Sequence, residues 1–196
     1  MTSVFTPLDI SKFQHSLKLT NSAQEWCGQT YVQANLRDNR YHLKSHSYFE
    51  KEGDDEWSLE KTWLEDELMN RIRLDPTSLP IGDIAVIPGA IQSRFLHRKL
   101  DVEKAHAVLS EDRSEKEGSL MRYEIHYKSY ERKFILTFKK DFPHEIISFE
   151  NIYKDGYGEK KKELRSVAVR THSLMIDYWK HNANSDSTYR EQLGLK

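Results

Sequence analysis

The sequence is short of the features that announce most functions. It has one cysteine, Cys27, so no intramolecular disulfide can form and thiolates cannot build a structural zinc site. Neither sign of charge prevails: 30 Lys and Arg against 31 Asp and Glu give a net charge of −1. A nucleic-acid binder draws most of its affinity from a basic excess, so nucleic acid is not an expected partner. No apolar run approaches the ~20 residues that a spanning helix needs, so no transmembrane segment is expected. The opening MTSVFTPLDI has neither the basic nor the apolar stretch of a secretory signal. There is no Gly-rich phosphate loop, no G-x-S-x-G elbow around Ser119, Ser129 or Ser166, and no H-E-x-x-H. Composition and motifs therefore name no chemistry, and no cofactor is expected.

What is present is a rhythm. Charged residues make up 31% and apolar ones only 37%, with aromatics at 11% and a mean hydropathy of −0.78. A polar chain with many rings suits a one-sided sheet better than a helical bundle with a thick core. Large residues fall on every second position from Phe13 to Phe49. Strands are expected over Lys12–Leu19, Glu25–Leu36 and Arg40–Glu50, with Trp26, Gly28, Thr30, Val32, Ala34 and Leu36 on one face and a turn at Asp38-Asn39. SVFTP is already strand-like, as if the chain were entered partway through a sheet. Beyond Pro80 strands are expected near Gly82–Ile87, Ala90–Leu100, Val102–Leu109, Leu120–Tyr127, Lys133–Phe138, Glu145–Tyr153 and Leu164–Trp179. Charged or glycine-bearing turns, Ser110–Gly118 and Asp155-Gly156 with Gly158, separate some of them, and Lys160, Lys161 and Lys162 read as a solvated hairpin tip.

One helix interrupts this. Thr62 and Glu65 have the T-x-x-E spacing of a capping box, and Leu64, Leu68 and Ile72 make an apolar stripe. Glu65, Asp66 and Glu67 at the start and Arg71 and Arg73 at the end complement the helix dipole, and Glu67 and Arg71 form an i,i+4 pair. Pro76 stops the run. On this reading Glu65→Gln removes half a cap and costs only ~1 kcal/mol, whereas Leu68→Asp buries an unpartnered carboxylate and destroys the fold. The expected architecture is a single mainly β domain over residues 1–196, an antiparallel curved sheet or partial barrel of about nine or ten strands, with one helix at about Thr62–Leu74 packed on or in it.

Candidate site residues follow from side-chain type. Trp26, Tyr31, Trp57, Trp63, Tyr178 and Trp179 could line an apolar cavity or simply form the core of a one-layer sheet, and Arg71 with Arg73 could clamp an anion or be a solvated or sheet-facing pair; an apolar or lipid-like ligand is the partner that the cavity reading fits. A hydrolase with a site assembled from separate strands, using Glu25, His97 or Arg71, is the alternative. Cys27, in a strand beside Trp26, reads as a buried structural thiol that labels slowly. His42 and His46 share a strand face, but ~13 Å of strand separates them, too far for one ion.

The strings QEWCGQTYVQ, YFEKEGD, LEDELMNRIRLDPTSLPIGDIAVIPGA, DFPHEI and DYWKHN resemble a family of uncharacterised Bacteroidetes-type proteins often labelled septum formation inhibitor Maf. The resemblance covers nearly the whole chain and corresponds to the C-terminal two-thirds of longer relatives. It implies further strands before SVFTP and an export or lipoprotein-type leader. It therefore implies placement in a bacterial envelope, where an envelope protein is a further partner. The label names an α/β nucleotide pyrophosphatase with an S-x-S-P-R-R-type triphosphate loop. This chain has no such loop and a β rhythm, so that activity is the least favoured reading.

Overall fold

The computed structural model describes residues 1–112, 120–156 and 158–195. Two antiparallel meanders divide the strands. The first sheet runs in sequence order through β1 (Thr2–Phe5), β2 (Lys18–Glu25), β3 (Gly28–Arg37), β4 (Arg40–Ser47) and β5 (Asp55–Glu60). The second orders β6 (Trp63–Leu64), β7 (Gly82–Ile87), β8 (Glu103–Asp112), β9 (Leu120–Tyr127), β10 (Arg132–Lys139), β11 (Ile146–Asp155) and β12 (Lys162–Val169), and only the short β6–β7 pair is parallel. Among the described residues three α-helices accompany them: α1 (Leu68–Leu74), α2 (Ala90–Phe95) and α3 (Thr188–Gln192). The protein is thus mainly β with helix packed on it. The expected single curved sheet of nine or ten strands with one helix is corrected to sheets of five and seven strands, and no pairing among the described residues closes either into a barrel.

The helical stripe joins two cores. Leu68 and Ile72, both fully buried, pack with Leu79 against the inner face of the second sheet, chiefly Tyr123, Ile125, Tyr127, Phe134, Leu136 and Phe138. Leu64, four residues before Leu68, enters the other core instead, where Leu19, Ala34, Tyr41, Leu43 and Leu59 of the first sheet meet Ile87, Ala90 and Leu100. Each such leucine contributes about 1.5–3 kcal/mol through burial. The helix itself begins later than the spacing suggested. Trp63–Leu64 is strand and Glu65–Glu67 a 3₁₀ turn. Thr62 Oγ1 donates to the Ala85 carbonyl at 2.6 Å, and the acid that accepts from an early backbone N–H is Glu67, from Leu64 at 3.2 Å.

The other departures have local causes. Residues 12–17 alternate in sequence but form no strand, because side chains near α1 take their backbone groups. Ser16 N donates to Glu67 Oε2 at 2.5 Å, Phe13 O accepts from Arg71 Nη2 at 3.0 Å, and Ser16 O accepts from Tyr41 Oη at 2.8 Å. The β2–β3 turn falls at Trp26-Cys27, with Glu25 opposite Gly28. Gly28 has φ +141°, and a Cβ there would lie 2.3 Å from the Tyr48 ring, so only glycine fits where β3 leaves the turn. Trp26 is consequently fully exposed and Cys27 exposed, whereas the alternation placed both within a strand, Trp26 on its apolar face and Cys27 buried on the other. Asp38 and Asn39, with φ of 49° and 61°, make the left-handed pair of a two-residue hairpin, as their identity predicted. Ala90–Leu100, read as a strand, is α2 and the turn after it. The last strand stops at Val169 rather than Trp179. The charged turn read at Ser110–Gly118 lies, from 113 onward, outside the described residues.

Candidate functional site

The register of the first sheet decides which side chains meet α2. Thr30 pairs with Ser47, Val32 with Ser45 and Leu43 with Trp57, and these share the inner face with buried Leu43 and Ala34. Between this face, the Lys51–Asp55 loop and the segment from Ala90 to Leu100 lies a cavity of about 460 Å³, within the range of small-molecule sites.

Arg94, at the end of α2, is the centre of its polar wall. Its side chain is only 8% exposed and its guanidinium lies 4.7 Å from the Phe49 ring centroid. Nε donates to Thr30 Oγ1 at 3.1 Å, and Nη2 stands 3.1 Å from Glu25 Oε1, an ion pair without hydrogen-bond geometry. His97 follows the helix with φ 51°, a left-handed position after a helix end that normally takes glycine. Its Nδ1 meets Glu52 Oε1, while Arg94 Nη1 lies 3.3 Å from the same nitrogen. Arg94 can only donate, so the carboxylate is the partner that lets Nδ1 carry its proton. Ser47 Oγ donates to the other Glu52 oxygen at 3.2 Å. Lys99 donates to Asp55, holding that carboxyl below its ordinary range, and its ammonium sits 4.4 Å from the Trp57 ring centroid. Trp57 Nε1 donates to the Leu100 carbonyl at 3.1 Å.

A buried polar cluster holds α2 in place from the other side. Arg132 Nη1 and Nη2 donate to the two oxygens of Glu65 at 2.6 and 2.7 Å, and Tyr127 Oη adds a third bond at 2.5 Å. Arg132 Nε donates to Asn151 Oδ1 at 2.7 Å, and Asn151 Nδ2 donates to Gln92 Oε1 on α2. Asp66 Oδ2 accepts from Ala90 N at 2.8 Å, at the first residue of the helix. Desolvation pushes the Asp66 carboxyl up to about 7, aided by the Glu65 charge and opposed by the Ala90 bond and Arg132. Gly89 is required where it stands, since a Cβ would lie 2.6 Å from Glu65 Oε1. The three acids read as cap and dipole partners are thus structural anchors, pointing to different neighbours as consecutive helical positions must.

The candidate residues do not form one constellation. Trp57 faces the cavity. Tyr31 lines it from a strand whose alternation sends its side chain to the sheet's other face, where Oη donates to Gln33 Oε1 at 2.7 Å. Trp63 and Arg71 lie together elsewhere, with the guanidinium 5.5 Å from the indole centroid. Arg71 is 1% exposed and holds the Phe13 carbonyl, so it is a clasp on the N-terminal segment rather than an open clamp. The Glu67–Arg71 pair is replaced by these separate duties. Tyr178 and Trp179 are 72% and 64% exposed on the C-terminal segment, and Trp26 caps its turn. Of the alternative trio, Glu25 and His97 both approach Arg94 while Arg71 stays apart. His42 and His46 turn to Ser58 and Asp54, respectively. Among the described residues no three His, Cys, Asp or Glu side chains group as a metal site would require. Arg94, Glu52 and Lys99 were not legible as site residues: Arg94 and Lys99 fell in a segment read as strand, and Glu52 between the strand read to Glu50 and the loop at Gly53.

Comparison with protein-family models, with curated proteins and with solved structures finds no match to this chain.

Proposed function

We propose that this β protein is a non-catalytic binding module and that the cleft between the first sheet and α2 holds a small ligand. The observation that carries this reading is the cavity itself, open beside the core of the first sheet and walled by Arg94, His97, Glu52 and Trp57. The paired charges favour a polar ligand over the apolar or lipid-like one that the aromatic content led us to expect, because an apolar group would desolvate them without replacing their hydrogen bonds. Action in the bacterial envelope, with an envelope protein as partner, belongs to this proposal through the sequence resemblance.

The test is a small-molecule library screened by amide chemical shifts, with Ser45→Phe as a variant that fills the cleft from its floor. Binders should shift residues of α2 and β3–β5 and lose affinity in Ser45→Phe. Hits that map elsewhere, or that ignore the filled cleft, refute the assignment. The Glu52–His97 contact supports the alternative, since a carboxylate-held imidazole is the usual general-base pair. Ester or amide turnover by the purified chain that disappears in His97→Gln would replace the binding reading with that one.

A further inference from the structure

The four sheet edges are unequal. β1 has four residues, β6 two and β5 six, whereas β12 has eight. β12 pairs with β11 in unbroken register from Asp155↔Lys162 to Ser148↔Val169, with no bulge and no proline. Its other edge receives no backbone hydrogen bond from the described residues. Neither face is covered: every residue from Lys162 to Val167 is exposed, with Leu164 at 39%, Val167 at 51% and Val169 at 61%. A long, flat, uncovered edge is a template for another strand unless something blunts it. The only blunting devices here are charges, and their order along the strand is self-complementary.

We propose that β12 pairs antiparallel with β12 of a second copy of this chain, centred on Leu164, and so joins two seven-stranded sheets into one. A two-fold axis perpendicular to the sheet keeps matching faces together, so residues opposite each other have numbers of even sum. Centring on Glu163 or on Arg165 sets like charges face to face. Centring on Ser166 puts Arg165 against Val167 and Lys162 against Arg170. Centring on Leu164 sets Glu163 of each chain opposite Arg165 of the other, two attractive pairs flanking a leucine pair. Arg165 already holds Glu150 of β11 at 2.7 Å on its own chain, yet its side chain is 62% exposed, so a second carboxylate can still approach it from the free edge.

Sedimentation equilibrium of the full chain over a range of concentrations tests the pairing, and cysteine crosslinking tests its register. The wild type should be dimeric, Glu163→Arg should weaken the dimer about tenfold or more by turning both attractive pairs repulsive, and Glu163→Arg with Arg165→Glu should restore it. In a Cys27→Ser background, Leu164→Cys should oxidise to a covalent dimer faster than Ser166→Cys. A monomer at all concentrations, or a dimer indifferent to Glu163→Arg, overturns the proposal. Faster crosslinking through Ser166→Cys overturns the register. Neither outcome bears on the ligand cleft, which lies on the other sheet.

Discussion

Replacing Glu65 by glutamine should be among the most damaging conservative substitutions in this chain. Glu65 and Arg132 are 5% and 2% exposed, and two short bonds join them. Glutamine keeps the shape, but one acceptor oxygen becomes an NH₂ that faces the NH₂ of a guanidinium. Arg132 then remains charged and buried without a full carboxylate opposite it, although Asn151 Oδ1 and the Tyr127 and Phe134 rings, 5.1 and 5.6 Å away, stay beside it. Removing one partner of such a pair costs about 3–5 kcal/mol, several times the ~1 kcal/mol of a lost helix cap. For a chain of this size each kcal/mol moves the melting point by about 2–4 °C, so the expected drop is about 6–20 °C. Glu65→Leu with Arg132→Met removes both charges but strands Asn151 Oδ1 and takes the Glu65 acceptor from Tyr127 Oη, at about 1–3 kcal/mol each. The double variant should therefore lose about as much as one single variant and far less than the two together. Urea titrations of wild type, both singles and the double measure the coupling. Strict additivity, or a loss below about 1 kcal/mol for Glu65→Gln, would refute the buried-pair account.

Three further outcomes follow from the same neighbourhood and from the β2–β3 turn. Asp66 has its carboxyl raised from 3.8 to about 7, so the folded state binds its proton more tightly; that stability is full below about pH 4 and is lost as pH rises toward 7. Asp66→Asn keeps an acceptor for Ala90 N and should remove a decline of about 4 kcal/mol across that window, read from melts at several pH values. Gly89→Ala should destabilise by about 1–3 kcal/mol despite an unstrained backbone, because the new methyl meets the Glu65 carboxylate that Arg132 holds fixed; a neutral result in denaturant titration would show that the cluster yields. Cys27 should react with a thiol reagent in the native state about as fast as in the unfolded chain, since the turn leaves it exposed; marked native protection would place that turn elsewhere.

The parts of the fold that were legible are those where one side-chain period runs uninterrupted over a half-buried strand. Gly82–Ile87 and Leu120–Tyr127 appear with the bounds read from their alternation, and Leu68 and Ile72 are buried as their spacing required. Alternation misled where backbone groups were claimed by distant side chains. Nothing local in KFQHSL reveals that Glu67 and Arg71, some fifty residues on, will take Ser16 N and Phe13 O. Ala90–Phe95 is too short for a helical period to register, and what makes it a helix is tertiary: the Asp66 acceptor at its first residue and the Gln92–Asn151 bond in its middle. Counting strands also could not separate one sheet from two, because a meander has the same sequence rhythm whether or not its pairing is broken after β5.

The same reasoning explains why the cleft was hidden. Its wall combines β2, β3, the loop before β5 and the segment from Ala90 to Leu100, so the groups that meet at Arg94 come from Glu25, Thr30, Glu52 and His97. Each of these looks ordinary in its own segment. What brings them together is the placement of α2, and α2 is held at both ends by side-chain contacts, hydrogen bonds at its start and ion pairs at its end. Its first residues hang on Asp66 and Gln92, tied through Asn151 and Arg132 to the second sheet, while its last turn hangs on Thr30, Glu25 and Glu52 of the first. A six-residue helix has little stability of its own, so its position is set by these side-chain bonds together with the burial of Ala90. The acids that the sequence assigned to a helix cap are therefore what positions the cleft, and a substitution at Glu65 should reach Arg94 although the two share no contact. Comparing the chemical shifts of Thr30 and His97 in wild type and in Gly89→Ala decides this: unchanged signals would mean that the far end of α2 is held by the first sheet alone.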